Sequence, residues 1–135
     1  MGATHVSLPA TGTRHTLLLA LAAALALAAC GPNKADQVKK AGESVARLKE
    51  GVVDYATSKQ SWPKHIDDLR VAGDPLPGVG YSVGEGGVIA VYFGEGSGLP
   101  GSQLIYTPTQ DAQGNVTWMC ASQGLDATLK PADCA

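Results

Sequence analysis

The chain is short of the residues that build metal centres, because its 135 residues include only three histidines and three cysteines. His5 and His15 lie in an N-terminal leader that we expect to be removed, which leaves His65 as the one histidine of the mature protein. Tetrahedral zinc needs four suitable ligands at workable spacing. The sequence therefore predicts no metal site, and we interpret His65 as a solvated surface residue.

Motifs of common enzymes are also missing. The glycine-rich stretch 84–98, GEGGVIAVYFGEGSG, lacks the Lys-Ser/Thr pair of a phosphate-binding loop and contains a strand pattern, which favours hairpin turns. Asp67 and Asp68 are adjacent, so they would not converge on one substrate as an acid and a base, and we expect them to cap or solvate the turn HIDDL. We predict no enzymatic activity and no cofactor.

Positive charge is scarce in the C-terminal half of the chain. After Arg70 there is one basic residue, Lys130, against six acidic residues. Nucleic-acid binding depends on clustered Lys and Arg. The other basic residues of the mature chain are mixed with acidic ones between positions 34 and 70, where they are expected to form a solvated face or to approach anionic lipid. Nucleic acid is therefore not expected as a partner.

Long hydrophobic runs are absent except for one segment near the N-terminus, Leu17–Ala29, which follows Arg14. This run is too short to span a membrane as a helix, and it ends in small residues, as a secretory signal does. Its end, Leu27-Ala28-Ala29-Cys30, resembles the lipobox of bacterial lipoproteins. The resemblance implies cleavage before Cys30 and acylation of Cys30. The alternative is an ordinary cleaved signal in which Cys30 has no role.

The lipobox resemblance also implies a domain organisation and a location. Residues 1–29 would be a removed lipoprotein signal peptide, residues 30–34 a lipidated tether, and residues 35–135 the folded domain. Two or three acyl chains form a firm membrane anchor, since each buried methylene contributes about 0.8 kcal/mol. Gly31 rather than Asp follows the cysteine, which by the rule for Gram-negative lipoproteins implies the outer membrane. We therefore expect a lipid-anchored protein of the cell envelope.

The two remaining cysteines, Cys120 and Cys134, lie near the C-terminus. Export places them outside the cytosol, where disulfides persist, so we predict that they pair. The alternative is a pair of unrelated reduced thiols. Closing a loop of this length contributes about 3 kcal/mol in the chain-entropy description, which benefits a domain with a modest core.

The first part of the mature chain predicts one long amphipathic helix. Asn33, with Asp36 in the first turn, is typical of an N-cap, and Trp62-Pro63 is expected to end the helix. Apolar residues recur at steps of three and four and form a stripe that must pack against another element. The stripe consists of Val38, Ala41, Val45, Leu48, Val52 and Ala56.

Four stretches rich in β-branched and aromatic residues follow, separated by glycine-containing turns. They cover residues 79–83, 88–93, 103–109 and 116–121. Four short strands at this spacing favour an antiparallel meander whose inner face covers the helix stripe. The predicted fold class is α+β, with a long N-terminal amphipathic helix packed on a four-stranded antiparallel sheet and a C-terminal disulfide-bounded loop.

The order of these features resembles the globular head of a type IV pilin. The helix exit GVVDYATSKQSWP and the closing segment VTWMCASQGLDATLKPADC carry the resemblance, above all the Trp118-x-Cys120 strand and the Pro131-Ala132-Asp133-Cys134 ending. It covers residues 35–134. The resemblance implies a pilin-like head and makes pilus components its implied partners.

The N-terminus departs from the pilin pattern. A pilin begins with a processing glycine, a methylated aromatic residue, a glutamate four positions on, and a hydrophobic helix that remains as membrane span and filament core. The hydrophobic segment here carries no acidic residue and is expected to be removed. The resemblance therefore implies pilin shape without ordinary pilin polymerisation.

The leading hypothesis is a lipoprotein that works through protein or surface contact, in adhesion or as an accessory part of a type IV pilus system. In pilins the disulfide-bounded loop lies at the exposed edge of the head and often mediates recognition. The resemblance thus makes residues 121–133 the candidate contact loop, with Gln123, Asp126 and Lys130 at its surface. The alternative is that this loop only locks the last strand.

Three other hypotheses stay open. An envelope inhibitor or ligand-binding lipoprotein would need a concave pocket lined by Tyr81, Tyr92 and Tyr106. A decoy that joins pilus subunits, or masks pili from phage, is not distinguished from an adhesin by the sequence. Because some pilin-like proteins capture DNA, a DNA-uptake receptor is the third hypothesis, and the acidic head argues against it.

Overall fold

The computed structural model describes residues 31–135, so the predicted signal peptide and the lipid site at Cys30 lie outside the described residues. Two single-turn 3-10 helices, Ile66–Asp68 and Glu85–Gly87, precede the first and second strands. The main elements in chain order are α1 (Lys34–Lys59), β1 (Val79–Val83), β2 (Ile89–Phe93), β3 (Ser102–Gln110) and β4 (Val116–Gln123).

The four strands form one antiparallel sheet in the order β1-β2-β3-β4, so each strand pairs with its neighbours along the chain. Tyr106 of β3 lies in the middle of the sheet, paired with Ile89 of β2 and with Cys120 of β4. The predicted α+β fold is confirmed; the bounds of β1 are as predicted, and those of the other three strands differ by at most two residues.

The hydrophobic core lies between α1 and the inner face of the sheet. Five of the six predicted stripe residues are buried, and the sixth, Ala56, is partly exposed. Each large side chain removed from water in this way contributes roughly 1.5 to 3 kcal/mol. The largest buried apolar side chains are Leu48, Val45 and Val52 from the helix and Ile89, Val91, Phe93 and Leu104 from the sheet.

The helix begins where the sequence predicts. The side-chain oxygen of Asn33 accepts hydrogen bonds from the backbone N–H groups of Ala35 at 3.0 Å and Asp36 at 3.3 Å. The carboxylate of Asp36, in the first turn, lies 2.8 Å from the Nζ of Lys40, one turn further along the helix. Within residues 31–135, neither α1 nor any other helix combines the length and apolarity needed to cross a bilayer.

The helix ends at Lys59, earlier than the predicted stop at Trp62-Pro63. Gln60 adopts the left-handed conformation, with φ 55° and ψ 30°, and its side-chain amide donates a hydrogen bond to the carbonyl of Thr57 at 2.9 Å. This cap turns the chain away from the helix axis three residues before Pro63, so the proline is not what ends the helix. Pro63 therefore lies beyond the helix and is buried.

The cap at Gln60 generates a stability prediction. A non-glycine residue in the left-handed region is strained by roughly 1 to 2 kcal/mol, and glycine removes that strain. Gln60→Gly loses one exposed side-chain hydrogen bond, so the net gain in the free energy of unfolding is expected to be about 0.5 to 1 kcal/mol. Urea unfolding of the full-length protein measures it.

Ser58→Gly is the matched control, because it introduces the same residue into the last helical turn. That variant is expected to lose about 0.5 kcal/mol, since glycine is a poorer helix former than serine. A loss of stability in both variants would mean that the side-chain cap outweighs the strain at Gln60.

Candidate functional site

The candidate contact loop, residues 121–133, is closed by a disulfide between Cys120 and Cys134, whose Cα atoms are 4.4 Å apart. The chain end also pairs with β4. The N–H of Ala135 donates to the carbonyl of Cys120, and the N–H of Ser122 donates to the carbonyl of Ala135, both at 3.0 Å. The predicted disulfide is confirmed, and it gives the loop a fixed base.

The loop is folded back on the head. The hydroxyl of Ser102 in β3 donates to the carbonyl of Gly124 at 2.9 Å, which joins the start of the loop to the sheet. Leu125 and Leu129 pack against the core cluster. These contacts hold the loop backbone in place while most of its polar side chains remain exposed.

The structure separates the three predicted contact residues into two sets. Asp126 and Lys130 are exposed on one turn, in which the N–H groups of Leu129 and Lys130 donate to the carbonyl of Asp126 at 2.9 and 3.1 Å. Gln123 is the last residue of β4, and its side-chain oxygen accepts from the amide of Gln103 on β3. Asp126 and Lys130 therefore share one surface, whereas Gln123 belongs to the outer face of the sheet.

A groove of about 410 Å³ lies between α1 and the loop. Val38 and Val45 line the helix side, Leu129 and Pro131 line the loop side, and Tyr106 lies between them. The charged residues of the groove are Lys39, Lys49 and Asp133. The loop is thus one wall of an amphipathic groove, a feature that the sequence analysis did not predict.

Lys49 is the unusual side chain of this groove. Its Nζ lies 4.3 Å from the centroid of the Tyr106 ring and 5.4 Å from that of the Trp118 ring. A cation over an aromatic face is attracted by the ring quadrupole. Burial lowers the pKa of Lys49, and the carboxylate of Asp133 opposes that shift. From the sequence, Lys49 was one of the basic residues expected to form a solvated face or to approach anionic lipid. Its position next to Leu48, at the border of the apolar stripe, was the one available signal.

Tyr106 is 3% exposed beneath the groove. Its burial, with a smaller effect from Asp133, raises the pKa of its hydroxyl to about 12. The oxygen lies 4.0 Å from Sγ of Cys134, so the ring connects the centre of the sheet to the disulfide.

The tyrosine pocket that the ligand-binding alternative would need is not formed by the described part of the chain. Tyr92 is 50% exposed on the outer face of the sheet, whereas Tyr106 is buried on the inner face. Tyr81 is partly buried near Gly73. Tyr81 pairs with the buried Val91 and so shares the inner face with Tyr106, but it lies on β1, which β2 separates from β3, whereas the alternation along β2 sends Tyr92 to the outer face.

Other candidate chemistries find little support in the described part of the chain. Between residues 31 and 135 no group of His, Cys, Asp and Glu is arranged to hold a metal ion. The carboxylate of Asp68 accepts from the N–H groups of Lys64 at 2.9 Å and His65 at 3.0 Å, which lowers the pKa of Asp68 and identifies it as a turn cap. The sequence of residues 80–84, GYSVG, matches the Gly-x-Ser-x-Gly pattern of a serine nucleophile elbow. In the structure, however, these residues form most of β1 and the residue that follows it.

Several basic side chains of the helix and its exit pair with acidic ones. Besides the Lys40–Asp36 pair, Arg47 forms an ion pair with Asp74, and Lys64 lies 3.6 Å from Glu85. All three pairs are on the surface, where an ion pair contributes little to stability. They do distribute the positive charge among carboxylates, which weakens the case for a DNA-uptake receptor.

A protein-family model described as pilin, a bacterial filament protein, matches residues 36–135. The chain belongs to the pilin family. The matched region contains nearly all of α1, the whole sheet and the disulfide-bounded loop of this pilin. Among curated proteins, none matches the chain.

Family membership confirms the resemblance for the folded domain. The chain is therefore a pilin-like, pilus-related protein, and the pilin family is a structural one. Membership also indicates association with the cell envelope and with pilus components. The match begins at Asp36, after the predicted tether.

Tyr106 generates a prediction about pH. Its pKa is near 10.0 when unfolded and about 12 in the folded pilin, so between these values the folded state holds a proton that the unfolded state has lost. Stability therefore falls as pH rises from about 10 to 12. The free energy of unfolding of Tyr106→Phe should fall less steeply over this range, as measured by urea unfolding of the full-length pilin. Tyr92→Phe, at a half-exposed ring, is the control and should follow the wild type; equal slopes for wild type and Tyr106→Phe would contradict the prediction.

Proposed function

We propose that this pilin is a membrane-anchored lipoprotein that acts by contact with a protein or a surface, in adhesion or as an accessory part of a type IV pilus system, and not by catalysis. The observation that supports this most is the construction of the disulfide-bounded loop. Its backbone is fixed by a disulfide, by hydrogen bonds to β4 and by two packed leucines, while Asp126 and Lys130 are exposed.

A fixed loop with exposed polar groups suits recognition. Binding by a mobile loop has to offset the entropy lost on ordering it, whereas a preordered loop avoids most of that loss. The neighbouring groove adds apolar area from Leu129 and Pro131 beside charged groups. If the loop only locked β4, the identity of its exposed side chains would not matter.

The anchor is proposed from the lipobox at residues 27–30 and from the position of the domain. Helix α1 begins at Lys34, so only three residues separate Cys30 from it. Acyl chains on Cys30 would hold the N-terminal end of α1 close to the bilayer. The outer membrane of a Gram-negative bacterium is the proposed location, from Gly31 at the second mature position.

The alternative of an envelope ligand-binding or inhibitor lipoprotein has lost its tyrosine pocket. The groove between α1 and the loop is the observation that still supports it, since about 410 Å³ is within the usual size of a small-molecule site. The exposed Asp126 and Lys130 favour protein or surface contact over this alternative.

The anchor is tested by metabolic labelling with an alkyne-modified fatty acid in the native bacterium. The wild-type protein is expected to carry the label and to fractionate with membranes, whereas Cys30→Ser should lose the label and most of its membrane association. The double variant Cys120→Ser/Cys134→Ser is the control and should keep the label. An unlabelled wild type, or a Cys30→Ser variant that stays fully in the membrane fraction, would reject the lipid anchor.

The contact loop is tested by the triple variant Gln123→Ala/Asp126→Ala/Lys130→Ala, which leaves both cysteines in place. Its adhesion or pilus-dependent motility is expected to fall about tenfold, equivalent to about 1.4 kcal/mol of contact energy. The double variant Asp54→Ala/Lys59→Ala also removes one charge of each sign, from exposed positions of α1, and should behave like the wild type. Wild-type behaviour of the triple variant would leave the loop with a structural role only.

A further inference from the structure

A second cleft, of about 440 Å³, lies at the C-terminal end of α1, away from the groove beside its N-terminal half. The last helical turn and the chain that leaves it form one side, and the hairpin between β3 and β4 forms the other. The polar and aromatic residues that line it are Thr57, Gln60, Ser61, Trp62, Gln110 and Gln113.

The chemistry of this cleft differs from that of the groove, whose lining includes Lys39, Lys49 and Asp133. It offers three side-chain amides, two hydroxyls and one indole, and none of its lining residues is ionisable. Amides and hydroxyls both donate and accept hydrogen bonds, and an indole presents a flat apolar face beside one donor. A ligand with many neutral hydroxyls and an apolar face of C–H groups complements this set, and a charged ligand would find no counter-charge there.

The indole of Trp62 is held in place by the turn at Gly87, which packs against it. Gly87, at φ 73°, has no side chain, and a Cβ at that position would lie 2.9 Å from Cε3 of Trp62. The N–H of Gly87 also donates to the carbonyl of Pro63 at 3.2 Å. Because the ring packs against this turn and the core cluster, Trp62 is a fixed wall of the cleft.

The opposite wall is also ordered. One carboxylate oxygen of Asp111 accepts from the N–H groups of Gln113 at 2.9 Å and Asn115 at 2.8 Å, and the other accepts from the side-chain amide of Asn115 at 2.9 Å. The amide of Gln110 donates to the carbonyl of Gly114 at 3.2 Å, which leaves its oxygen as an acceptor. The hairpin thus fixes the side chain of Gln110 and the backbone of Gln113 before any ligand arrives.

We propose that this cleft binds a neutral saccharide, with Trp62 as the stacking surface and Gln60, Gln110 and Gln113 as the hydrogen-bonding groups. The volume is within the range of roughly 300 to 1,000 Å³ found for small-molecule sites. The proposal depends on neither the lipid anchor nor the disulfide-bounded loop, because its residues belong to neither.

The test uses the full-length protein purified in a polyoxyethylene detergent, which has no sugar headgroup. Saturation-transfer NMR is recorded with lactose, N-acetyllactosamine, chitobiose, cellobiose and mannobiose, and with sialyllactose as the charged comparison. At least one neutral sugar is expected to bind with a Kd on the order of 1 mM, with transfer strongest to ring C–H protons. No transfer to any neutral sugar, or transfer to sialyllactose alone, overturns the proposal.

Variants locate the binding. Gln113→Ala and Trp62→Phe should each raise the Kd of the bound sugar, by about tenfold for the loss of the amide and by a smaller factor for the smaller ring. Gln123→Ala makes the same amide deletion at the disulfide-bounded loop and should leave the Kd unchanged. An unchanged Kd in Gln113→Ala together with a raised Kd in Gln123→Ala would assign the sugar to the loop and reject the cleft.

Discussion

The packing of the apolar stripe of α1 on the inner face of the sheet is the contact on which the other features depend. An isolated helix is marginal in water, and most helical stability in proteins comes from burial of one face. Here that face is buried by Ile89, Val91, Phe93 and Leu104. Both the groove and the polar cleft lie at borders of this layer, where loops of the sheet approach the helix, so neither would exist without it.

The element types could be predicted because their signals are local. The three-and-four spacing of apolar residues identified α1, the cap at Asn33 marked its start, and β-branched runs between glycine turns marked the strands. The helix end was missed because its cap is Gln60 in a left-handed conformation, which no sequence preference announces. The pairing of Cys120 with Cys134 could be predicted from the expected export and from the number of cysteines alone.

The sites depend on long-range register, which is why they were predicted only in part. The approach of Lys49 to Tyr106 and Trp118 requires the strand order and the angle of the helix on the sheet. The tyrosine pocket failed for the same reason, since the face of each ring follows from strand pairing. At 26 residues, α1 is roughly 39 Å long. The disulfide-bounded loop lies beside the N-terminal half of α1 and the polar cleft lies at its C-terminal end, so the two sites are at different ends of the helix.

The lysine over the aromatic rings has one more consequence. A cation 5.4 Å from the indole of Trp118 changes the energy of that ring's excited state, so the fluorescence of Trp118 depends on whether the ammonium group of Lys49 stays in place. The chain has one other tryptophan, Trp62, which follows the C-terminal end of the helix. With Trp62 replaced by phenylalanine, the fluorescence of Trp118 alone reports on Lys49, a residue that lines the groove.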